Sequence, residues 1–195
     1  MDKKFIWVGT AILVLVILAT SMAIFYKSAN QVFNGSVINP PAPAADFSLN
    51  NQTGGTVKLS NYRGKYVLLY FGYSHCTNEC PVSMAVLAKA RSELSEQQAG
   101  QVQAILVSTD PAHDTQQSMK DFLNRFDPTF IGATGDLARL QPIWKDYGVT
   151  VLDGGETHSN YIYLIDPAGN IRLTYAYPGT AEEISADLKL LFRKN

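Results

Sequence analysis

Two cysteines, Cys76 and Cys80, are the only ones in 195 residues, and they stand four apart in Cys76-Thr77-Asn78-Glu79-Cys80-Pro81. The run directly before them, Tyr66-Val67-Leu68-Leu69-Tyr70-Phe71, is apolar. The thiols therefore fall where a buried strand hands over to a helix. The partial positive field of a helix start favours thiolate there. Thiolate is the form that attacks disulfides and the form that binds soft metal ions. At a spacing of four, both sulfurs can lie on one helix face. They could close a disulfide, whose Cα atoms lie about 4.4–6.8 Å apart, or present two sulfurs to one ion. Two sulfurs are too few for a structural zinc site, which is nearly always four-coordinate. Two sulfurs and one imidazole suit copper: thiolates select Cu(I), and thiolates with histidine also hold Cu(II).

The chain has three histidines to complete such a set. His158 lies in the polar run Gly154-Gly155-Glu156-Thr157-His158-Ser159-Asn160, read as a loop before the strand at 161–165. In a thioredoxin-like sheet, the loop entering that strand passes beside the start of the cysteine helix. That makes His158 the expected third ligand. His75 adjoins Cys76 and is expected to support the site without ligating. His113, in Pro111-Ala112-His113-Asp114, reads as exposed decoration at a helix start. Asp110 reads equally well as a supporting residue near the site and as the end of a strand. Asp114 reads as an N-cap, with Gln117 three residues later.

The elements that would position these residues alternate. Residues 67–70 are apolar on consecutive positions, as in a strand covered on both faces. A helix should follow with Met84, Leu87, Ala88 and Leu94 inward, fading near Gly100. Residues 102–107 form the next strand. Met119, Phe122, Leu123 and Phe126 make a helical stripe, and residues 130–132 a short strand. Leu137, Leu140, Trp144 and Tyr147 suggest another helix, which Pro142 should kink or restart. Residues 161–165 and 171–175 flank Asp166-Pro167-Ala168-Gly169-Asn170, a hairpin signature. Thr180 and Glu183 form a capping box ahead of Ile184, Leu188 and Leu191. Helical crossovers followed by a hairpin imply an α/β domain: a thioredoxin-like mixed sheet flanked by helices on both faces.

Residues 5–25 are uncharged and strongly apolar, long enough to cross about 30 Å of hydrocarbon. Lys3 and Lys4 precede them, which leaves the N-terminus cytoplasmic and exports the chain beyond Lys27. The expected organisation is an anchor over 1–27, a Pro/Ala-rich tether over 28–45 and a domain over 46–195. The short N-terminus points to a single-pass protein of a bacterial inner membrane, its C-terminal domain facing the periplasm. Net charge is −1 with no basic block, which gives nucleic-acid binding no support.

The run Tyr70-Phe71-Gly72-Tyr73-Ser74-His75-Cys76, then Cys80-Pro81, resembles the Sco/SenC family of membrane-anchored copper proteins. So do Ser108-Thr109-Asp110-Pro111-Ala112-His113-Asp114-Thr115 and Phe126-Asp127-Pro128-Thr129-Phe130-Ile131-Gly132. His158-Ser159 and Tyr163-Leu164-Ile165-Asp166-Pro167-Ala168-Gly169 complete the match, which spans nearly the whole exported domain. The resemblance implies a thioredoxin-like fold and a copper site whose ligands map onto Cys76, Cys80 and His158. It implies delivery of copper to cytochrome c oxidase at its CuA centre, with other copper carriers or thiol–disulfide proteins as further partners. Family members commonly carry proline after the first cysteine, where this chain has Thr77. Glu79 places a carboxylate between the thiols, which should raise their pKa and favour a bound cation.

The residues leave two function classes open. A metallochaperone needs all three ligands. A membrane-anchored thiol–disulfide oxidoreductase, reducing cysteines of the oxidase subunit or of other exported proteins, needs Cys76 and Cys80 as catalytic residues and not His158. A thiol peroxidase has no matching motif. A purely structural disulfide is disfavoured, because bridged cysteines four apart close too small a loop to stabilise much.

Overall fold

A computed structural model describes residues 13–20, 22 and 32–194. Residues up to Phe33 and those from Asn34 onward form separate compact units. Residues 13–20 are helical. The expected span over 5–25 lies largely outside the described residues, and among those described no helix is long and apolar enough to cross a membrane.

The second unit begins with β1 (Ser36–Pro43), β2 (Ser48–Asn51), β3 (Thr56–Lys58) and a 3₁₀ turn. Strand β4 (Tyr66–Gly72) comes next, buried at every position. Helix α1 (Glu79–Ser92) and the short α2 (Glu96–Ala99) lead into β5 (Val102–Ser108). Then come α3 (Gln116–Leu123), β6 (Ile131–Thr134) and α4 (Leu137–Asp146). Strands β7 (Val151–Leu152) and β8 (Thr157–His158) pair with each other. The chain closes with β9 (Tyr161–Ile165), β10 (Asn170–Ala176) and α5 (Ala181–Lys194).

Eight strands form one mixed sheet in the order β1-β10-β9-β4-β5-β6-β2-β3. Strands β4, β5 and β6 are parallel, joined through helical crossovers, and β9 returns antiparallel beside β4. The period of two along β4 sends alternate residues to opposite faces. Val67, Leu69 and Phe71 join Ile105, Val107, Leu140 and Trp144 in a core under α4. Tyr66 and Tyr70 face the other way: Tyr66 meets Phe192 of α5 edge-on at 4.9 Å, and Tyr70 reaches Cys80 of α1. Each fully buried leucine or phenylalanine here stabilises the fold by about 1.5–3 kcal/mol relative to exposure. This is the expected thioredoxin-like arrangement of a mixed sheet between helices.

The structure departs from the sequence expectations at three places. The tether ends well before 45: Ser36 pairs with Thr174 and Pro43 with Asn170, so β1 is a strand of the domain. Proline lacks an N–H and is confined to edges and bulges; β1 is the outermost strand, and its register shifts between Val37 and Ala42, the stretch that holds Pro40 and Pro41. The segment is pinned further by Asn34 and Gly35, whose amides donate to the Asp187 carboxylate at 2.9 Å. Second, the cap of α3 is Thr115, in a reciprocal box with Ser118, and not Asp114 with Gln117. Third, α4 runs as one element through Pro142, so of the expected kink or restart the restart does not occur.

Candidate metal centre

Strand β4 ends at Gly72 and α1 begins at Glu79, so residues 73–78 form the loop that carries Cys76. Asn78, at the helix start, makes no side-chain bond to the first turn. The Cys76 sulfur serves instead, accepting from the Cys80 N–H at 3.4 Å. Burial alone would raise the Cys76 thiol. Hydrogen bonds from the Cys80 and Asn78 amides, the Cys80 thiol and the Tyr73 hydroxyl outweigh it and hold the pKa below the ordinary thiol value. Glu79, expected to raise the thiols, spends its carboxylate on the Asn160 amide at 2.7 Å.

Cys80 has the opposite character. It is fully buried, and that burial, reinforced by the neighbouring Cys76 sulfur, pushes its thiol up to about 12. Its sulfur lies under the end of β4, where the Tyr70 hydroxyl reaches it at 3.8 Å. Gly72 makes room: a Cβ there would meet the Cys80 sulfur at 2.9 Å and the Tyr70 ring at 2.7 Å. The two thiols are thus unequal, one half-exposed with a lowered pKa, the other buried with a raised one.

His158 comes from the short hairpin of β7 and β8, where it pairs with Val151. Within the loop expected from sequence, Thr157 and His158 therefore form a short strand, held by mutual bonds between Thr150 and Ser159 at 2.9 and 3.0 Å. His158 Nδ1 lies 3.1 Å from the Ser159 carbonyl. A carbonyl only accepts, so this nitrogen carries the ring proton and Nε2 keeps its lone pair. Nε2 points to Cys80 Sγ at 3.8 Å. Burial keeps the ring's pKa below its ordinary 6.5, against the opposing pull of the Ser159 carbonyl and the Glu79 charge. The neutral imidazole is the form that ligates a metal.

The structure brings Cys80 into contact with both Cys76 and His158. First-row ligand bonds of about 2.3 Å to sulfur and 2.0 Å to nitrogen, opened to about 120°, span about 3.7 Å, which fits the Cys80–His158 separation of 3.8 Å. Among the described residues, the one trio of ligand atoms all within 4.8 Å of one another belongs to His75, Asp110 and His113. Closing the cysteines and His158 on one ion therefore requires a swing of the half-exposed Cys76 side chain. Cys76, His158, Tyr73 and Glu156 line an open cleft of about 340 Å³. A larger cleft of about 490 Å³ beside Trp144, Leu137 and Leu152 includes neither cysteine.

Sequence reasoning missed Tyr73, whose ring stands 4.8 Å from His75 and 6.0 Å from His158 while its hydroxyl supports Cys76. Its place just past the end of β4 was the available signal. It also underrated Asp110, whose carboxylate is buried and engages both His75 and His113.

A sequence model of the SCO1/SenC family matches residues 37–193. The chain belongs to the SCO1/SenC family. Among curated relatives, mitochondrial SCO2 of Saccharomyces cerevisiae is 32% identical over 150 residues, covering 72% of this chain and 48% of the relative. The chain spans about half the length of the first curated relatives it matches. Copper-bound ScoI of Bradyrhizobium japonicum is 34% identical with a TM-score of 0.68, covering 76% of this chain and 98% of that one. Apo Sco1 of Thermus thermophilus is 30% identical with a TM-score of 0.73, covering 84% and 99%. Two thiols and a neutral imidazole are donor types that soft cations take, and two thiols are also the groups that disulfide exchange uses.

Proposed function

We propose that the chain is a copper metallochaperone in which Cys76, Cys80 and His158 hold one copper ion and release it to cytochrome c oxidase at CuA. The observation that carries this reading is the lone pair of His158 Nε2 aimed at the Cys80 sulfur at 3.8 Å. A bare nitrogen beside one thiol, with a second thiol able to swing in, is a soft-metal donor set. The copper-bound Bradyrhizobium relative supports it, as does a Stutzerimonas stutzeri relative described as a putative copper-binding protein, 30% identical over 141 residues. The ion is cargo. Both thiols give up their protons on ligation, Cys76 more readily because its pKa is lowered and that of Cys80 is raised. Three donors leave the ion open to attack from the cleft, so an incoming thiolate or imidazole displaces them in turn. If a partner's disulfide accepts two electrons from them and leaves as two thiols, Cys76 and Cys80 close a disulfide, which removes both sulfurs from the ion and ejects the metal. The anchor over 5–25 would hold this chemistry at the periplasmic face of a bacterial inner membrane.

Anaerobic Cu(I) titration of the reduced protein tests the reading. One ion per chain is expected, and replacing Cys76, Cys80 or His158 singly should weaken binding by at least about 10- to 100-fold. Stoichiometric binding that survives each replacement would sink it.

The inequality of the thiols favours a second reading, a thiol–disulfide oxidoreductase. The Cys76 thiolate would attack a substrate disulfide and release one thiol. Cys80 would then lose its proton and attack the mixed disulfide, leaving a Cys76–Cys80 bond and a fully reduced substrate. His158→Ala separates the two: the oxidoreductase retains dithiol turnover, and the chaperone loses metal.

A further inference from the structure

Asp110 lies just past β5 with its side chain only 1% exposed. Its Oδ2 stands 3.0 Å from His75 Nε2 and 2.8 Å from His113 Nδ1. These two rings, 5.5 Å apart between centroids, are its only side-chain partners among the described residues. Asp114, also fully buried, lies 3.8 Å from His75 Nδ1, and its own oxygens accept from Ser74 and Ser108. Two carboxylates are thus buried together, and among the described residues neither pairs with a lysine or arginine. Burying carboxylates is costly unless a positive partner offsets them. The two imidazoles reach them from a solvent-exposed edge, where an ion has access: the His113 side chain is 70% exposed.

We propose that His75, Asp110 and His113 form a second metal site, one that takes a borderline divalent first-row cation, Cu(II) most tightly. The donor set is two imidazoles and a carboxylate, which suits Cu(II), Ni(II) or Zn(II), whereas the thiol pair selects Cu(I). Ligand atoms about 2.0–2.1 Å from one ion and at right angles to each other stand about 2.9 Å apart. The observed nitrogen–oxygen separations of 2.8 and 3.0 Å fall at that spacing, and all three ligand atoms lie within 4.8 Å of one another. An ion would replace the ring protons that now face Asp110, the two exposed rings turning to bring their lone pairs onto it. His75 and Cys76 are neighbours in sequence, so one loop serves both sites.

The test uses the full chain in detergent carrying Cys76→Ser, Cys80→Ser and His158→Ala, which removes the thiol site and its fate from the readout. Titration with Cu(II), followed by electron paramagnetic resonance, should show one bound ion per chain with hyperfine coupling to two nitrogens. Adding His113→Ala should weaken binding at least about tenfold and leave coupling to one nitrogen. That histidine is exposed, so the variant tests the site without threatening the fold. Should the triple variant fail to fold, thiol-alkylated wild type and thiol-alkylated His113→Ala give the same comparison. Absence of stoichiometric Cu(II), or an affinity and nitrogen count indifferent to His113→Ala, would overturn the proposal. His113→Ala in the otherwise native chain should leave anaerobic Cu(I) binding within about twofold; a larger loss would also overturn it, by making His113 part of the thiol site.

Discussion

The side-chain amide of Asn160 donates to the Glu79 carboxylate across 2.7 Å, tying the chain just after the His158 hairpin to the first turn of the cysteine helix. Two segments that share no other element are joined there, one bringing the imidazole and one the sulfurs. Because the bond is exposed, its net worth is about 1 kcal/mol or less. Asn160→Ala should therefore barely lower the urea midpoint. Copper affinity should fall up to about fivefold, since about 1 kcal/mol corresponds to that factor. Isothermal titration of wild type and variant checks this, and an unchanged affinity would mean that the hairpin holds His158 unaided.

The unequal thiols predict a pH dependence with two separate windows. The Cys76 pKa is lowered in the fold, so its contribution is present above the ordinary thiol value and is lost as pH falls through the folded one. The Cys80 pKa is raised to about 12, so its contribution is present below the ordinary value and is lost as pH rises toward 12. Urea midpoints of the reduced apo protein should fall between about pH 8.5 and 10. In Cys80→Ala that fall should be delayed until the buried tyrosines begin to matter above their ordinary pKa near 10. Alkylation at pH 7 followed by mass spectrometry should label Cys76 well before Cys80.

Legibility in the sequence differs from residue to residue. The thiol pair was legible because an apolar run ending in Gly72 fixes a strand, and the cysteines come directly after it. His158 was legible only through topology, since it stands 78 positions from Cys80 and only the placement of β9 beside β4 unites them. The β1 strand was hidden because proline-rich sequence reads as a spacer until an edge position is known. The two histidines on Asp110 were hidden for another reason. His113 has the exposure of a surface residue, and nothing local reveals that a carboxylate beneath it is buried.

Asp114 illustrates a cap reading displaced by a tertiary role, and it yields a comparison. Thr115 accepts from the Ser118 amide at 3.0 Å and caps α3. Asp114 instead accepts from the Ser74 amide at 2.8 Å and from the Ser74 and Ser108 hydroxyls at 2.6 Å each, joining the cysteine loop to the end of β5. Thr115→Ala should cost about 1 kcal/mol, the usual loss of a cap. Asp114→Ala strands three donors in a buried setting and should cost about 3–5 kcal/mol. Urea denaturation of both variants decides the point. Equal losses would mean that the Ser74 and Ser108 bonds add nothing to the fold.

Gly155 stands between the two candidate sites and contacts the end of β5 through its own backbone. Its carbonyl accepts from the Thr109 hydroxyl at 3.0 Å, and its φ of +117° lies in the region side chains rarely adopt. An added Cβ would collide with the Thr109 carbonyl and approach the Asp110 Cα to 2.8 Å. Neither obstacle is the end of a flexible side chain, so the hairpin must move as a unit away from β5. Gly155→Ala should then lower stability by about 1–3 kcal/mol through the strained backbone. It should also displace His158 from Cys80 and weaken copper binding beyond what Asn160→Ala does. Calorimetric melting alongside copper titration separates these effects. A variant that melts early yet binds as tightly as wild type would show that His158 keeps its place when Gly155 does not.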